Sequence, residues 1–397
     1  MPHFDDNLVD DEAAVARLDS RGTLRALAGA GAQVRHALAL AEEAGIEQVA
    51  GGDRPRSVVV ASLGGSAIVA DVLELLAEPG SPVPVSVRRN VPLPGWVGSL
   101  DLVVAVSQSG RAPGPLALAA EAARRGASLL TVGAPDSPLS DVCARARGIH
   151  VPTPPGLTSS RTALWAMLTP VVLAAHRLGM LEARPAVLGA VADRLDEQAE
   201  LFRPSSDTFV NPAKSLALEL ADGVPLVLGD GPLAGVAAAR CASMLARTSR
   251  VPATYGELPD AASQVVACFD GPFSDAGVAR SAGLGARGVG DIFADPFLDG
   301  PPTPRLRLLM LRDTPADAIL QPGERSAVRR LADAVVRTAS DAGVRVSQHD
   351  TAPGHPLERL AGHIALTDFA ATYLALGLGA DPGLSPHVAD LRDLTRE

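Results

Sequence analysis

The stretch LVVAVSQSGRAPG, residues 102–114, carries an apolar run of five residues straight into two serines, a glycine and a proline. Such a run without polar alternation reads as a strand buried on both faces, the kind found in parallel sheets covered by crossover helices. The residues after it read as a turn into a helix, where proline suits the first turn and a hydroxyl suits the cap. Working outward, similar runs stand at SVVVASL (57–63), VPVSVRR (83–89), SLLTVG (128–133) and GIHVPT (148–153), separated by Ala/Leu-rich helical segments. A second series follows at VPLVLG (224–229), VPATYGEL (251–258), VVACFDG (265–271), LRLLMLRD (306–313) and VRVSQHD (344–350). The chain therefore reads as α/β, with two copies of one doubly wound, three-layer parallel-sheet architecture of flavodoxin-like type. The domain expectations are an N-terminal helical segment 1–55, a first domain 56–180, a connecting helix 181–210, a second domain 211–382 and a tail 383–397. Within the second, the Gly/Pro/Asp-rich residues 270–305 predict a long loop with a short helix.

Charge and cysteine content narrow the function classes. With 45 acidic against 35 basic side chains and a pI near 5.3, the chain has no basic stripe for a nucleic-acid backbone. Cys143, Cys241 and Cys268 are odd in number and widely spaced, which predicts three core fillers in a reduced, cytoplasmic setting. The opening MPHFDDNLVDDEAA is acidic and polar, unlike a secretory leader. The longest apolar window, residues 163–181, contains Thr169, Pro170, His176 and Arg177, so a buried helix is expected there and no membrane partner. Lysine occurs once, at Lys214, so Schiff-base chemistry would have to use that residue.

In an open parallel sheet, ligands sit beyond the carboxyl ends of strands, where loops lead into helix N-termini. Ser107, Ser109 and Gly110 occupy such a place. Unpaired amides, a positive helix dipole and adjustable hydroxyls hold a tetrahedral anion without metal or lysine, and glycine lets the backbone come close. Gly64-Gly65-Ser66 forms a second such turn after the strand 57–63. Helix capping explains either turn alone, whereas the two together favour phosphate. A dinucleotide site fits less well. GGSAIV lacks the G-x-G-x-x-G spacing, and the next strand ends in Arg88-Arg89 instead of an acidic ribose ligand.

These two turns and the repeated α/β unit resemble the sugar isomerase (SIS) domain. More narrowly, NPAKSLALELADGVPLVLGDG (211–231), VPATYGELPD (251–260), LRD (311–313) and LTDFAATYLALGLGADP (366–382) resemble the bifunctional phosphoglucose/phosphomannose isomerase family. The resemblance implies a cofactor-free homodimer that interconverts fructose 6-phosphate with glucose 6-phosphate or mannose 6-phosphate. It implies Gly65, Ser66, Ser107, Ser109 and Gly110 as the phosphate site, and Arg161 as the cation beside the reacting carbons.

The remaining family residues do not carry over. The family's threonine after the second serine is Ala112, with Arg111 between. An ungapped match puts Val265 where the family has its catalytic glutamate, and Gln264 is no base either. The family's late lysine is matched by Arg392, which cannot give up its proton. Glu257 and Asp260 are the nearby carboxylates, and His355 and His363 the late histidines. We take Glu257 and His355, with Arg161, as the catalytic set, although turn and capping roles explain both. The alternative is a catalytically silent SIS-domain sensor of a sugar phosphate.

Overall fold

The computed structural model describes residues 4–281, 304–313 and 322–394. The chain divides into two units, residues 28–197 and residues 1–27 with 198–397. It opens with the helices α1 (Asp6–Asp10), α2 (Glu12–Leu18), α3 (Thr23–Ala28) and α4 (Ala30–Glu43).

In the unit 28–197, β1 (Val58–Ser62) passes through a short 3-10 turn at Gly64–Ser66 into α5 (Ile68–Ala77). There follow β2 (Val85–Arg88), β3 (Leu102–Ser107), α6 (Pro113–Arg124), β4 (Ser128–Gly133), α7 (Pro138–Arg145), β5 (Ile149–Pro152) and α8 (Leu164–Arg177), and then α9 (Pro185–Leu201). The five strands pair in parallel in the order β2-β1-β3-β4-β5. Every residue of β1 and β3 is buried, as their unbroken apolar runs require. On one face Val59, Ala61, Val103 and Ala105 pack against Leu118, Ala119 and Ala122 of α6 and Leu139 of α7. Each such valine contributes about 1.5–3 kcal/mol by leaving water. Residues 164–175 of α8 are all buried, and among the described residues no helix is long and apolar enough to cross a membrane.

The other unit continues with α10 (Pro212–Ala221), β6 (Gly223–Gly229), α11 (Pro232–Met244), β7 (Thr254–Glu257), α12 (Ala262–Cys268) and α13 (Asp275–Ser281). Then come β8 (Arg305–Arg312), α14 (Pro322–Asp341), β9 (Arg345–Asp350), α15 (Pro356–Gly377) and α16 (Pro386–Leu394). Its sheet has four parallel strands in the order β7-β6-β8-β9, which repeats the other sheet with one strand fewer. Of the segment 270–305, α13 is the short helix, and residues 282–303 lie outside the described residues.

Two sequence expectations fail here for one reason. VVACFDG was expected as a strand, yet residues 262–268 form α12. Ala261, Val265 and Phe269 recur every four residues and all face one apolar cluster, so burial on a helical stripe overrides the β-branched pair. The same turn of helix sends Cys268 to the surface, where its thiol donates to the Gln264 carbonyl at 3.3 Å. Cys143 and Cys241 are buried as expected.

The N-terminal residues are pinned to this unit by the single lysine. Lys214 has no exposed surface, and its Nζ donates to Asp10 Oδ1 at 2.9 Å and to the Pro204 carbonyl at 2.8 Å. The ammonium also lies 5.4 Å from the centre of the Tyr373 ring, within cation–π range. A fully buried ammonium needs this much compensation.

Candidate functional site

Strand order decides where each unit can hold a ligand. In the first sheet the chain leaves β1 toward β2 on one side and reaches β3 on the other, so the crevice between β1 and β3 is the topological switch point. The register pairs Ser62 with Val106, which brings the Gly64–Ser66 turn beside the turn after Ser107. The two are in contact, because Ser66 Oγ donates to the Leu63 carbonyl at 3.0 Å and reaches the Val106 carbonyl at 3.4 Å. Gly65, Ser66, Ser107, Ser109 and Gly110 thus lie on two adjacent strand ends.

Their states differ. Ser66 and Ser107 are buried and Ser109 is exposed. Ser107 Oγ accepts the Ala112 amide at 3.4 Å, and Ser109 Oγ accepts the Arg111 amide at 3.3 Å, so both serines brace the start of α6. Gly64 and Gly110 have φ of +64° and +63°, a region that favours glycine. At Gly110 a Cβ would also stand 2.1 Å from Ser137 Oγ. That glycine is demanded twice, by backbone and by neighbour.

Arg161 sits in the loop between β5 and α8, where its backbone N and Nε lie 3.2 and 3.4 Å from Ser159 Oγ. This loop is tied to the serine turn by Gln108, whose side-chain amide donates to the Leu157 carbonyl at 2.9 Å. Beside the first turn, Arg89 forms an ion pair with Asp71 of α5. Burial raises the Asp71 pKa, and the Arg89 charge and hydrogen bond oppose that rise.

The second sheet has its own switch point between β6 and β8. Gly229 is paired with Leu311, so Asp230 and Asp313 end adjacent strands. The Asp230 amide donates to the Leu311 carbonyl at 3.0 Å, and the Asp313 amide donates back to Asp230 Oδ1 at 2.7 Å. Asp313 is held in turn by Arg359, through Nε at 2.7 Å and a second nitrogen at 3.2 Å, and Arg359 is 1 % exposed. Burial drives the Asp230 pKa up to about 6. The Asp313 amide lowers it, the Asp313 charge raises it, and Arg312 and Arg329 lower it. Sequence reading missed Asp230, because an acid after a strand and before Gly-Pro reads as an ordinary turn residue.

Glu257 ends β7 and is exposed, with its carbonyl accepting the Ala261 amide at 2.8 Å. His355 is the N-cap of α15. Its Nδ1 accepts the Leu357 amide at 3.2 Å, while its own amide donates to Glu358 Oε1 at 3.1 Å. One ring nitrogen is therefore committed to the cap. His363 is fully buried against His349, with ring centres 5.4 Å apart, and burial lowers its pKa to about 3. Val265 is 4 % exposed within the apolar cluster. No three metal-ligating side chains converge among the described residues.

Two parallel α/β units with these strand-end turns are the arrangement expected of a SIS-domain protein. Residues 209–394 match the family model described as the bacterial phospho-glucose isomerase C-terminal SIS domain. Over 198 residues the chain is 29% identical to the bifunctional phosphoglucose/phosphomannose isomerase of Caldicellulosiruptor bescii. That match takes in 50% of this chain and 58% of the relative, so the chain spans little more than half the length of that curated protein. Over roughly its second half the chain is thus similar to SIS-domain phosphoglucose/phosphomannose isomerases.

Solved structures show the same fold at low identity. A hypothetical protein from Thermus thermophilus superposes with a TM-score of 0.68 at 15% identity, covering 98% of this chain and 94% of that one. A glucose-6-phosphate isomerase from Chlamydia trachomatis gives 0.62 at 13%, covering 91% and 72%. The C-terminal domain of glucosamine-fructose-6-phosphate aminotransferase from Francisella tularensis gives 0.59 at 13%, covering 91% and 97%.

Proposed function

We propose that this protein binds a hexose 6-phosphate and interconverts its aldose and ketose forms without a cofactor. The observation that carries this reading is the meeting of two Gly/Ser turns at the β1/β3 switch point. There the Ser107 and Ser109 hydroxyls, whose oxygens accept the Ala112 and Arg111 amides, offer their own protons to a dianion, Ser66 joins them on turning from the Leu63 carbonyl, and Gly65 and Gly110 keep the approach open. Arg161, on the loop tied to that turn by Gln108, is the cation proposed to stabilise the negative charge that develops on an enediol. Glu257 and His355 are the second unit's candidates from sequence for proton movement. The protein is expected to work as a homodimer in the cytoplasm.

A second reading rests on Val265. With an apolar, buried residue at the family's glutamate position, a sugar-phosphate sensor without turnover is the alternative. One experiment separates the two. Fructose 6-phosphate is added to the protein in deuterium oxide, and the C1 and C2 protons are followed by NMR alongside calorimetric binding. Exchange with binding supports the isomerase, and saturable binding without exchange supports the sensor. Undiminished affinity in Ser107→Ala/Ser109→Ala would overturn the phosphate placement in either case.

A further inference from the structure

Where the strands of the second sheet begin, arginines gather on one face. Arg305 and Arg307 are alternate residues of β8, and the register sets Arg307 directly beside Arg345 of β9. Side chains alternate along a strand, so these arginines project away from Leu306, Leu308 and Met310, which pack in the apolar cluster with Val265 and Val335. Gly223 of β6 makes room for them, since a Cβ there would stand 2.4 Å from Arg307 Cγ.

Their partners are unevenly shared. Arg305 Nε pairs with Asp275 at 3.3 Å, while its Nη1 is sealed from water without an acceptor. Arg307 is 8 % exposed, and its Nε is likewise sealed and unpaired. Among the described residues neither Arg307 nor Arg345 forms a hydrogen bond or an ion pair. The carboxylates on this side do not relieve them: Glu219 of α10 accepts the Ser347 hydroxyl, Asp275 holds Arg305, and Asp222 is exposed. Burial lowers the Arg307 pKa and the Arg345 charge lowers it further, against the opposing pull of Asp222 and Asp275. Like charges on neighbouring strands repel, and a buried donor without a partner is costly, so this arrangement is stable only with an anion to share.

We propose that Arg307 and Arg345, with Arg305 at the margin, form an oxyanion site that takes a dianionic phosphate group, free or carried on a small ester. Guanidinium forks match phosphate oxygens in pairs, and do so best where water is excluded. Asp275 offsets Arg305, which leaves the charges of Arg307 and Arg345 for a dianion to balance. Arg345 is exposed and opens the site to solvent, whereas Arg307 supplies the desolvated contact. Both lie on adjacent strands of one sheet, at the end opposite Asp230 and Asp313, so the site is independent of the sugar-phosphate reading above.

The test uses the full chain in the Ser107→Ala/Ser109→Ala background, which removes the hydroxyls proposed for the other phosphate. Inorganic phosphate and glycerol phosphate are titrated separately by calorimetry, in chloride at constant ionic strength. At least one should saturate below about 10 mM; tighter binding of the first marks the free ion as the ligand, and of the second a small ester. Arg345→Ala should weaken that binding about tenfold or more. Arg345→Glu sets a carboxylate beside Arg307, so it should abolish binding and raise the denaturation midpoint in phosphate-free buffer. An affinity unchanged in Arg345→Ala, or no saturation by either probe in the background protein, would overturn the site. Should the background not fold, wild type and Arg345→Glu are compared directly, and an equal phosphate stoichiometry in the two would overturn it.

Discussion

At the ends of β1 and β3 the chain presents hydroxyls, glycines and helix-start amides; at the ends of β6 and β8 it presents two aspartates braced by arginines. The strand order is the same, and so is the crevice that it opens. What separates the two is a handful of side chains after each strand. The first set has the chemistry proposed above for a phosphate dianion, and the carboxylates of the second would repel one. The fold thus supplies two equivalent places, and the residues after the strands set them apart.

Four variants would break or sharpen this contrast. The largest effect is expected from Ser107→Ala/Ser109→Ala, which removes two donors to a charged group. At about 1.5–3 kcal/mol for each, sugar-phosphate affinity should drop at least 10²-fold by calorimetry. Arg359→Ala comes next. It strands Asp313 beside Asp230 and should cost about 3–5 kcal/mol in chemical denaturation, whereas a merely peripheral arginine would cost under 1.

The third concerns pH. The folded Asp230 keeps its proton up to about 6, against an ordinary value of 3.8, so between those limits the native state binds more protons than the unfolded chain. Its contribution to stability therefore falls as pH rises through that window, by up to about 3 kcal/mol. Asp230→Asn should flatten this part of the stability profile relative to wild type, and parallel profiles for the two proteins would refute the assigned environment. The smallest effect is expected at Gly110→Ala, which must bear a φ of +63° and a clash with Ser137. A loss of about 1–3 kcal/mol in melting experiments, with weakened phosphate binding, is the expected outcome.

Most of the architecture was legible because buried parallel strands announce themselves as unbroken apolar runs. Val58 to Ala61 and the β3 residues need no tertiary information to be placed. The α12 segment was misread because Val265 and Val266 suggest a strand locally, while the stripe of Ala261, Val265 and Phe269 that fixes a helix is satisfied only by the sheet beneath it. The Gly/Ser turns could be found from sequence because hydroxyls and glycines at a strand end are unusual in themselves. Asp230 could not, since an aspartate before Gly-Pro is an ordinary turn residue until its burial and its bond from Asp313 are known. His355 shows the converse. A histidine close to the family's late motifs suggested chemistry, yet the structure puts its Nδ1 on the Leu357 amide.

The concealment of Lys214 has one more result. A sugar in its open aldehyde form condenses with primary amines, and an enzyme that keeps such sugars open would expose its own lysines to that damage. Here the one lysine side chain is sealed beneath Tyr373 and Asp10. The surface cations of the described residues are guanidinium groups, which do not form Schiff bases, so reducing sugars should leave the lysine unmodified as long as the fold holds.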